Sequence, residues 1–318
     1  RRGRCKALPM TDIASVSLAQ PLETIADELG RSFAEFGFAV VRDHGIPQSL
    51  IDEAEAVSKA FFALPDSVKR AYKIEGGGGA RGYTPFGTEK AKDAEVFDLK
   101  EFWHVGRSLP PGHPLAEFMA PNIWPDEVEG FRTTMSALFS AFETAGGRVL
   151  EAIALHLGRP RDFFAASVED GNSVMRLLHY PPLGPGAPEG AIRAAAHGDI
   201  NTITLLLGAE EAGLELLTKQ GEWLPIPAAE GALVINVGDM LERQTNGRLR
   251  STTHRVVNPR GDAALRSRYS MPFFLHFRPD FLIEALPECI TADDAAPPPE
   301  PITAHDFLMQ RLREINLA

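Results

Sequence analysis

The sequence predicts an α+β protein in which helices come first, a β-sandwich or barrel follows, and one helix closes the chain. Three observations predict this order. Apolar residues recur at helical spacing in several stretches before residue 157. From Asn172 onward, short strand-like runs alternate with Gly/Pro/Asn punctuation, the pattern of a sandwich or barrel. The extended, proline-rich DAAPPPEP then leads into the amphipathic stretch PITAHDFLMQRLREINL.

Taken in order, residues 21–36 place Leu22, Ile25, Leu29 and Phe33 on one helical face, with Gly37 as the cap. FAVVRDHGIP reads as a short apolar strand and a loop. Residues 48–63 predict a second helix with Ile51, Ala54, Val57, Phe61 and Phe62 inward, and Pro65 begins a further helical turn. The four glycines of EGGGGARGYTPFGTEKAKD predict a mobile loop or connector. With no GK[ST] after them they do not make a phosphate-binding P-loop. DLKEFWHVG reads as a strand. Residues 125–157 form the longest helical stretch, with an irregularity expected at Gly146 and Gly147. The strand-like runs are VMRLLHY, TITLLL, LELLT, GALVINV, TTHRVV and RYSMPFFLHF, and Thr303 is the expected N-cap of the closing helix. No internal repeat is visible.

Composition narrows the function classes. The 318 residues are 44% apolar and 24% charged, a globular balance that supports a sizeable core. A formal net charge of -11 disfavours nucleic acid and anionic membrane surfaces as partners, because both would be repelled. The two cysteines, Cys5 and Cys289, form neither a disulfide framework nor a zinc spacing, which fits a reducing cytoplasm. No apolar run is long enough to span a bilayer. The basic start, RRGRCKALPM, lacks the apolar stretch of a signal peptide. Met10 is read as the native start, with residues 1–9 an upstream extension or a short arm.

One group of residues carries chemistry. His197 and Asp199 lie two apart in HGD, just before TITLLL, and in an extended segment side chains at i and i+2 point the same way. His254, in STTHRVV, is the candidate third ligand from a separate strand. Two imidazoles and one carboxylate on one face of an ion form the facial triad of non-haem Fe(II), which leaves three positions open. Zinc could take the same ligands plus water. Each residue also has a plainer reading, as a loop His, a turn Asp or a core His. Arg268 and Ser270 of RYS share a strand face in the same way. A guanidinium fork plus a hydroxyl suits a carboxylate, although an Arg on a strand is more often a solvated or ion-paired group. His44, His113, His156, His179, His276 and His305 are given no ligand role.

These runs together resemble a known family. HGDINTITLLL, GLELLTKQGEWLPIP, GALVINVGDMLERQTNGRLRSTTHRVV and RYSMPFFLHF are similar to segments of the isopenicillin N synthase-like 2-oxoglutarate/Fe(II) oxygenases. FAEFGFAVVRDHGIP, FFALPDSVKRAY, RGYTPFGTEK and DLKEFWHVGR resemble that family's N-terminal region, so the likeness covers nearly everything after Met10. The resemblance implies a double-stranded β-helix (jelly-roll) core over 125–318, with its supporting long helix and C-terminal helix, preceded by an N-terminal region over 10–124. It implies Fe(II) on His197, Asp199 and His254, with O2 and 2-oxoglutarate as cosubstrates. Arg268, Ser270 and Tyr180 would hold the 2-oxoglutarate. Leu178 stands where the family commonly has an Asn, so that polar contact does not carry over. The implied reaction is hydroxylation or desaturation of a small organic substrate, with release of succinate and CO2.

Arg81, Tyr83, Phe86 and Trp103 come from segments similar to the family's pocket lining, and Arg176 is a further inward-facing candidate. Arg81 is the preferred partner for a substrate carboxylate, although aromatic residues in such runs are more often core. Competing readings are an isopenicillin N synthase-type oxidase that uses no 2-oxoglutarate, an ethylene- and succinate-forming enzyme, and a non-catalytic β-barrel that binds a small anion. Zinc hydrolysis lacks an evident general base near HGD.

Overall fold

The computed structural model describes residues 12–75, 79–89, 96–183, 192–208, 213–226, 230–292, 294 and 296–314. The proposed boundary between residues 1–9 and Met10 lies outside these, as does part of the glycine run. The first half of the chain folds as β1 (Ser15–Ser17), α1 (Leu22–Glu35), β2 (Phe38–Arg42), α2 (Gln48–Phe62), α3 (Asp66–Arg70), β3 (Gly82–Thr84), β4 (Glu101–Gly106), α4 (Phe131–His156) and α5 (Ala165–Val168). The strand-rich part follows with β5 (Val174–Tyr180), β6 (Ala194–His197), β7 (Ile203–Leu207), β8 (Leu214–Leu217), β9 (Trp223–Pro225), β10 (Leu233–Val237), α6 (Asp239–Gln244), β11 (His254–Val256) and β12 (Arg268–Leu275). The chain closes with β13 (Leu282–Ile283), β14 (Ile302–Thr303) and α7 (Ala304–Glu314).

The strands form a large sheet in the order β1-β2-β10-β7-β12-β5-β4-β3 and a smaller one in the order β6-β11-β8-β9. Neighbours pair antiparallel except β1 with β2. Phe38, Val40 and Val234 of the large sheet pack against Ala194, Leu214, Leu216 and Val256 of the small one. This is the two-sheet jelly roll expected from the resemblance. The strands from before residue 124 are not a separate layer, because β1 and β2 flank one side of the large sheet and β3 and β4 the other.

The outer face of the large sheet is covered by helices α1, α2 and α4. Alternation along β12 sends Met271, Phe273 and Leu275 toward these helices and Arg268, Ser270, Pro272 and Phe274 into the space between the sheets. Phe273 is fully buried, with Phe142 stacked on it at 5.1 Å and Phe139 edge-on at 5.0 Å.

Local differences from the sequence expectations have local causes. Helix α4 begins at Phe131 rather than near 125, because Gly130 sits at its N-cap with φ of 76°. Gly146 and Gly147 do not interrupt it. At Gly146 a β-carbon would lie 2.5 Å from Leu275 Cδ1, so the glycine lets the helix settle on the sheet. Thr303 caps α7 as expected, accepting from the Asp306 amide at 3.1 Å and donating to its carboxylate at 2.7 Å. Strands β6 and β9 were not legible. AAAH has little β propensity, and WLP is a three-residue edge strand ending in proline. Among the described residues, no helix is long and apolar enough to cross a membrane.

Removing the Phe273 ring leaves a cavity between α4 and the sheet. Phe273→Ala should cost about 3–5 kcal/mol in urea denaturation, whereas Phe86→Ala, at a side chain 43% exposed, should change stability by no more than about 0.5 kcal/mol.

Candidate metal centre and cosubstrate pocket

Three ligand atoms, one each from His197, Asp199 and His254, lie within 4.8 Å of one another. The two histidines meet because β6 and β11 pair antiparallel with His197 opposite His254, which brings their rings to 4.5 Å. Asp199, two residues past the end of β6, places Oδ1 at 3.9 Å from His197 Nε2 and 3.8 Å from His254 Nε2. Each imidazole has its Nδ1 beside the carbonyl two residues back, His197 to Ala195 at 2.7 Å and His254 to Thr252 at 3.1 Å. A carbonyl only accepts, so Nδ1 carries the hydrogen and both Nε2 lone pairs point to the shared centre.

Asp199 is held from the opposite sheet. Its Oδ2 accepts from Thr204 Oγ1 at 2.6 Å and from Asn236 Nδ2 at 2.7 Å, and Thr204 and Asn236 are themselves a cross-strand pair of β7 and β10. Its backbone carbonyl accepts from the Asp239 amide at the start of α6, at 2.8 Å. One carboxylate oxygen is thereby fixed, and the other is left to the metal. Burial alone would raise the Asp199 carboxyl, but the two imidazoles and these two donors outweigh it and hold the group ionised, below its ordinary range. His197 is pushed below its ordinary range by desolvation and then by His254, which keeps it neutral. Two imidazole nitrogens and a carboxylate suit a divalent ion, and these oxygen and nitrogen donors fit ferrous iron.

The same pocket continues to a buried cation. Arg268 is 1% exposed, and its polar contacts are Ser270 Oγ at 3.5 Å from Nη1 and the Gly208 carbonyl at 3.2 Å from Nη2. Its Nε has no partner among the described residues. Among the described residues no carboxylate faces it. The β12–β5 register sets Arg268 opposite Tyr180, and the guanidinium lies 5.2 Å from that ring's centre. Ser270 faces Leu178, which presents an apolar wall. A buried guanidinium without a counter-charge is costly, so the pocket is built to receive an anion.

The structure brings together His197, Asp199, His254, Arg268, Ser270, Tyr180 and Arg176 around one cavity. It does not bring Arg81, Tyr83, Phe86 or Trp103 there. Tyr83 and Trp103 are paired across β3 and β4 on the face that looks to the helices. Trp103 packs against Phe61 and Phe131, and Tyr83 donates its hydroxyl to Glu101. The pocket side of β4 belongs to the residues of opposite parity, Phe102 and His104, which pair with Leu178 and Arg176. Phe86 is exposed beside Phe97. Arg81 is buried against Gly106 and donates to the Ala80 carbonyl at 2.7 Å, with Nε and Nη2 unpartnered among the described residues.

The sequence reading passed over Glu89, Asp98, Lys100 and His104. Lys100 lines the pocket and binds Asp98 at 2.7 Å. Asp98 in turn accepts from the Ala195 amide at 3.0 Å, on the strand that carries His197. The signal available was parity, since Lys100, Phe102 and His104 alternate along one strand direction.

Comparison with known proteins agrees with this geometry. A family model for the N-terminal region of non-haem dioxygenases in morphine synthesis matches residues 8–127, and one for the 2OG-Fe(II) oxygenase superfamily matches residues 171–277. The chain is 34% identical over 303 residues to the proline hydroxylase buaE of Petromyces alliaceus, covering 91% of this chain and 93% of that protein. A crystal structure from Caulobacter crescentus, assigned to the 2OG-Fe(II) oxygenase family, is 54% identical with a TM-score of 0.89, covering 96% of this chain and 100% of that one. A full-length Neurospora crassa protein crystallised in complex with alpha-KG is 29% identical with a TM-score of 0.82, covering 94% and 95%. The chain therefore belongs to the 2-oxoglutarate/Fe(II)-dependent oxygenases, in their isopenicillin N synthase-like branch.

Proposed function

We propose that this enzyme hydroxylates or desaturates a small organic substrate, holding Fe(II) on His197, Asp199 and His254 and consuming 2-oxoglutarate bound toward Arg268, Ser270 and Tyr180. The single observation that carries the cosubstrate assignment is the Arg268 guanidinium. It is buried, without a facing carboxylate, in the cavity that the triad also lines. The distal carboxylate of 2-oxoglutarate supplies the missing counter-charge through a fork of charged hydrogen bonds, with the Ser270 hydroxyl as a third donor. Tyr180 forms the floor under the guanidinium.

The bound iron and 2-oxoglutarate supply the oxidising power of O2, with succinate and CO2 as by-products. The protein's part is to hold and exclude. Asn236 and Thr204 keep Asp199 ionised and aimed, and the Ala195 and Thr252 carbonyls fix the rotation of the two imidazoles. Leu178, Leu206, Pro272 and Phe274 line the cavity with apolar surface, which limits water at the reacting carbon. Region 10–124 contributes the wall built on β4, and region 125–318 contributes the ligands. A small-molecule substrate accords with the cavity between the two sheets and with the thymine complex known for the Neurospora crassa protein.

An anaerobic Fe(II)/2-oxoglutarate titration, followed by the metal-to-ligand charge-transfer absorption, tests the assignment. Arg268→Ala should raise the 2-oxoglutarate concentration for half-saturation about tenfold to a hundredfold, the value of one or two charged hydrogen bonds, while iron still binds. An unchanged half-saturation would remove Arg268 from the cosubstrate site. Asn236→Ala frees Asp199 from one of its two side-chain donors, and iron affinity measured by competition with a chelator should fall about 10- to 100-fold. Equal affinities would mean that Asn236 has no part in holding the metal.

A further inference from the structure

The wall of the cavity beside His197 is built from charges that neither iron nor 2-oxoglutarate uses. Arg176, on the pocket face of β5, donates from Nε to His104 Nε2 at 2.6 Å and from Nη1 to both Glu89 oxygens, at 3.3 and 3.1 Å. Its guanidinium lies 4.1 Å from the centre of the Phe102 ring and 5.5 Å from that of Phe274, which fixes the plane of the fork. Lys100 Nζ binds Asp98 at 2.7 Å and Glu89 at 3.5 Å. His104 gives its Nδ1 hydrogen to the Gly79 carbonyl at 2.5 Å.

Counting what remains decides the sign of this surface. Every carboxylate oxygen in the wall already accepts at least one hydrogen bond: both Glu89 oxygens from Arg176, one of them also facing Lys100, and the two Asp98 oxygens from Lys100 and the Ala195 amide. Both nitrogens of His104 are spent. Two donors are left over: Arg176 Nη2, which has no partner among the described residues, and the third hydrogen of the Lys100 ammonium. Among the described residues, the two cations and two carboxylates cancel, and Arg81 stands behind His104 without a counter-charge and adds one positive charge. It remains protonated, although burial lowers it to about 10. Burial and then Arg176 push His104 well below its ordinary range, so it contributes no charge. Glu89, which burial alone would raise, is held down to about 2 by Arg176 and Lys100 and stays ionised.

We infer that the primary substrate carries a carboxylate, received by Arg176 Nη2 and Lys100 Nζ, while Glu89 competes with it for those two cations. Among the described residues the wall offers spare donors and a net positive charge, and an anionic oxygen pair satisfies both. This deepens the proposed function and rests on the triad's metal facing this wall. Arg176 and Lys100 thus act as specificity-determining residues, and Glu89 limits the donors and charge they offer.

The test is calorimetric titration of phenylacetate, indole-3-acetate and hexanoate, each against its primary amide, into the anaerobic Fe(II) protein saturated with 2-oxoglutarate. Saturation keeps Arg268 and the iron from taking the probe acids, and the charge-transfer absorption confirms it before each titration. At least one acid should bind roughly tenfold or more tightly than its amide, the worth of one charged hydrogen bond. Arg176→Gln should abolish that preference, with half-saturation by 2-oxoglutarate unmoved. Glu89→Gln should enlarge it, because removing the competing carboxylate frees donors and raises the positive charge. A merely structural role for this cluster would make both variants weaken acid binding. Amides binding as tightly as acids, no acid binding at all, or loss of acid affinity in Glu89→Gln would each overturn the inference. Failure of the absorption to appear in the unmodified protein would instead sink the iron and 2-oxoglutarate assignment.

Discussion

Asp199 joins the two sheets of this protein at one carboxylate, and the site depends on that join. One oxygen is bound by Thr204 and Asn236, neighbours across β7 and β10 in the large sheet. The other faces His197 and His254, neighbours across β6 and β11 in the small sheet. Two cross-strand pairs, one per sheet, are therefore held in register by a residue that belongs to neither ladder. Such a buried anion would be costly alone. Here it is offset by two donors on one side and, once loaded, by a divalent ion on the other.

Sheet parity organises everything else. On β12, β5 and β4 one set of alternate residues packs against helices and the other faces the cavity. The first set includes Phe273, Leu177 and Trp103, and the second Arg268, Ser270, Tyr180 and Arg176. The packing side is not purely apolar. Glu101 accepts from Lys69 at 2.8 Å and from Tyr83, and pairs with His179 at 2.7 Å. His179 reaches Ser267, immediately before Arg268, at 2.9 Å. Burial alone would raise Glu101, but these three hydrogen bonds keep it ionised. The polar cluster fastens α3, β3, β4 and β5 together directly behind the pocket wall, which favours a rigid site over an adaptable one.

Much of this was legible because the informative patterns are local. The two-residue period of a strand puts Arg268 and Ser270 on one face, and it brings His197 and Asp199 to one ion when the segment is extended. Helical spacing marked α1 and α2 almost to the residue. The same logic failed for Tyr83 and Trp103. Parity assigned the aromatic pair to the core and gave the opposite face of β4, beside Leu178 and Arg176, to Phe102 and His104. Arg81 was credited with a carboxylate contact, yet its guanidinium is packed against Gly106, where its charge is felt and its donors do not reach the cavity.

The sequence by itself determined the strand and helix periods, the short-range donor sets HGD and RYS, and the caps at Gly37 and Thr303, because each depends on residues only a few positions apart. Tertiary structure alone decided that His254 faces His197, that Asn236 reaches Asp199, and that Arg176 and Lys100 both reach Glu89. Those contacts follow from the register of strands far apart in the chain and from the choice of buried face, and no local spacing encodes either.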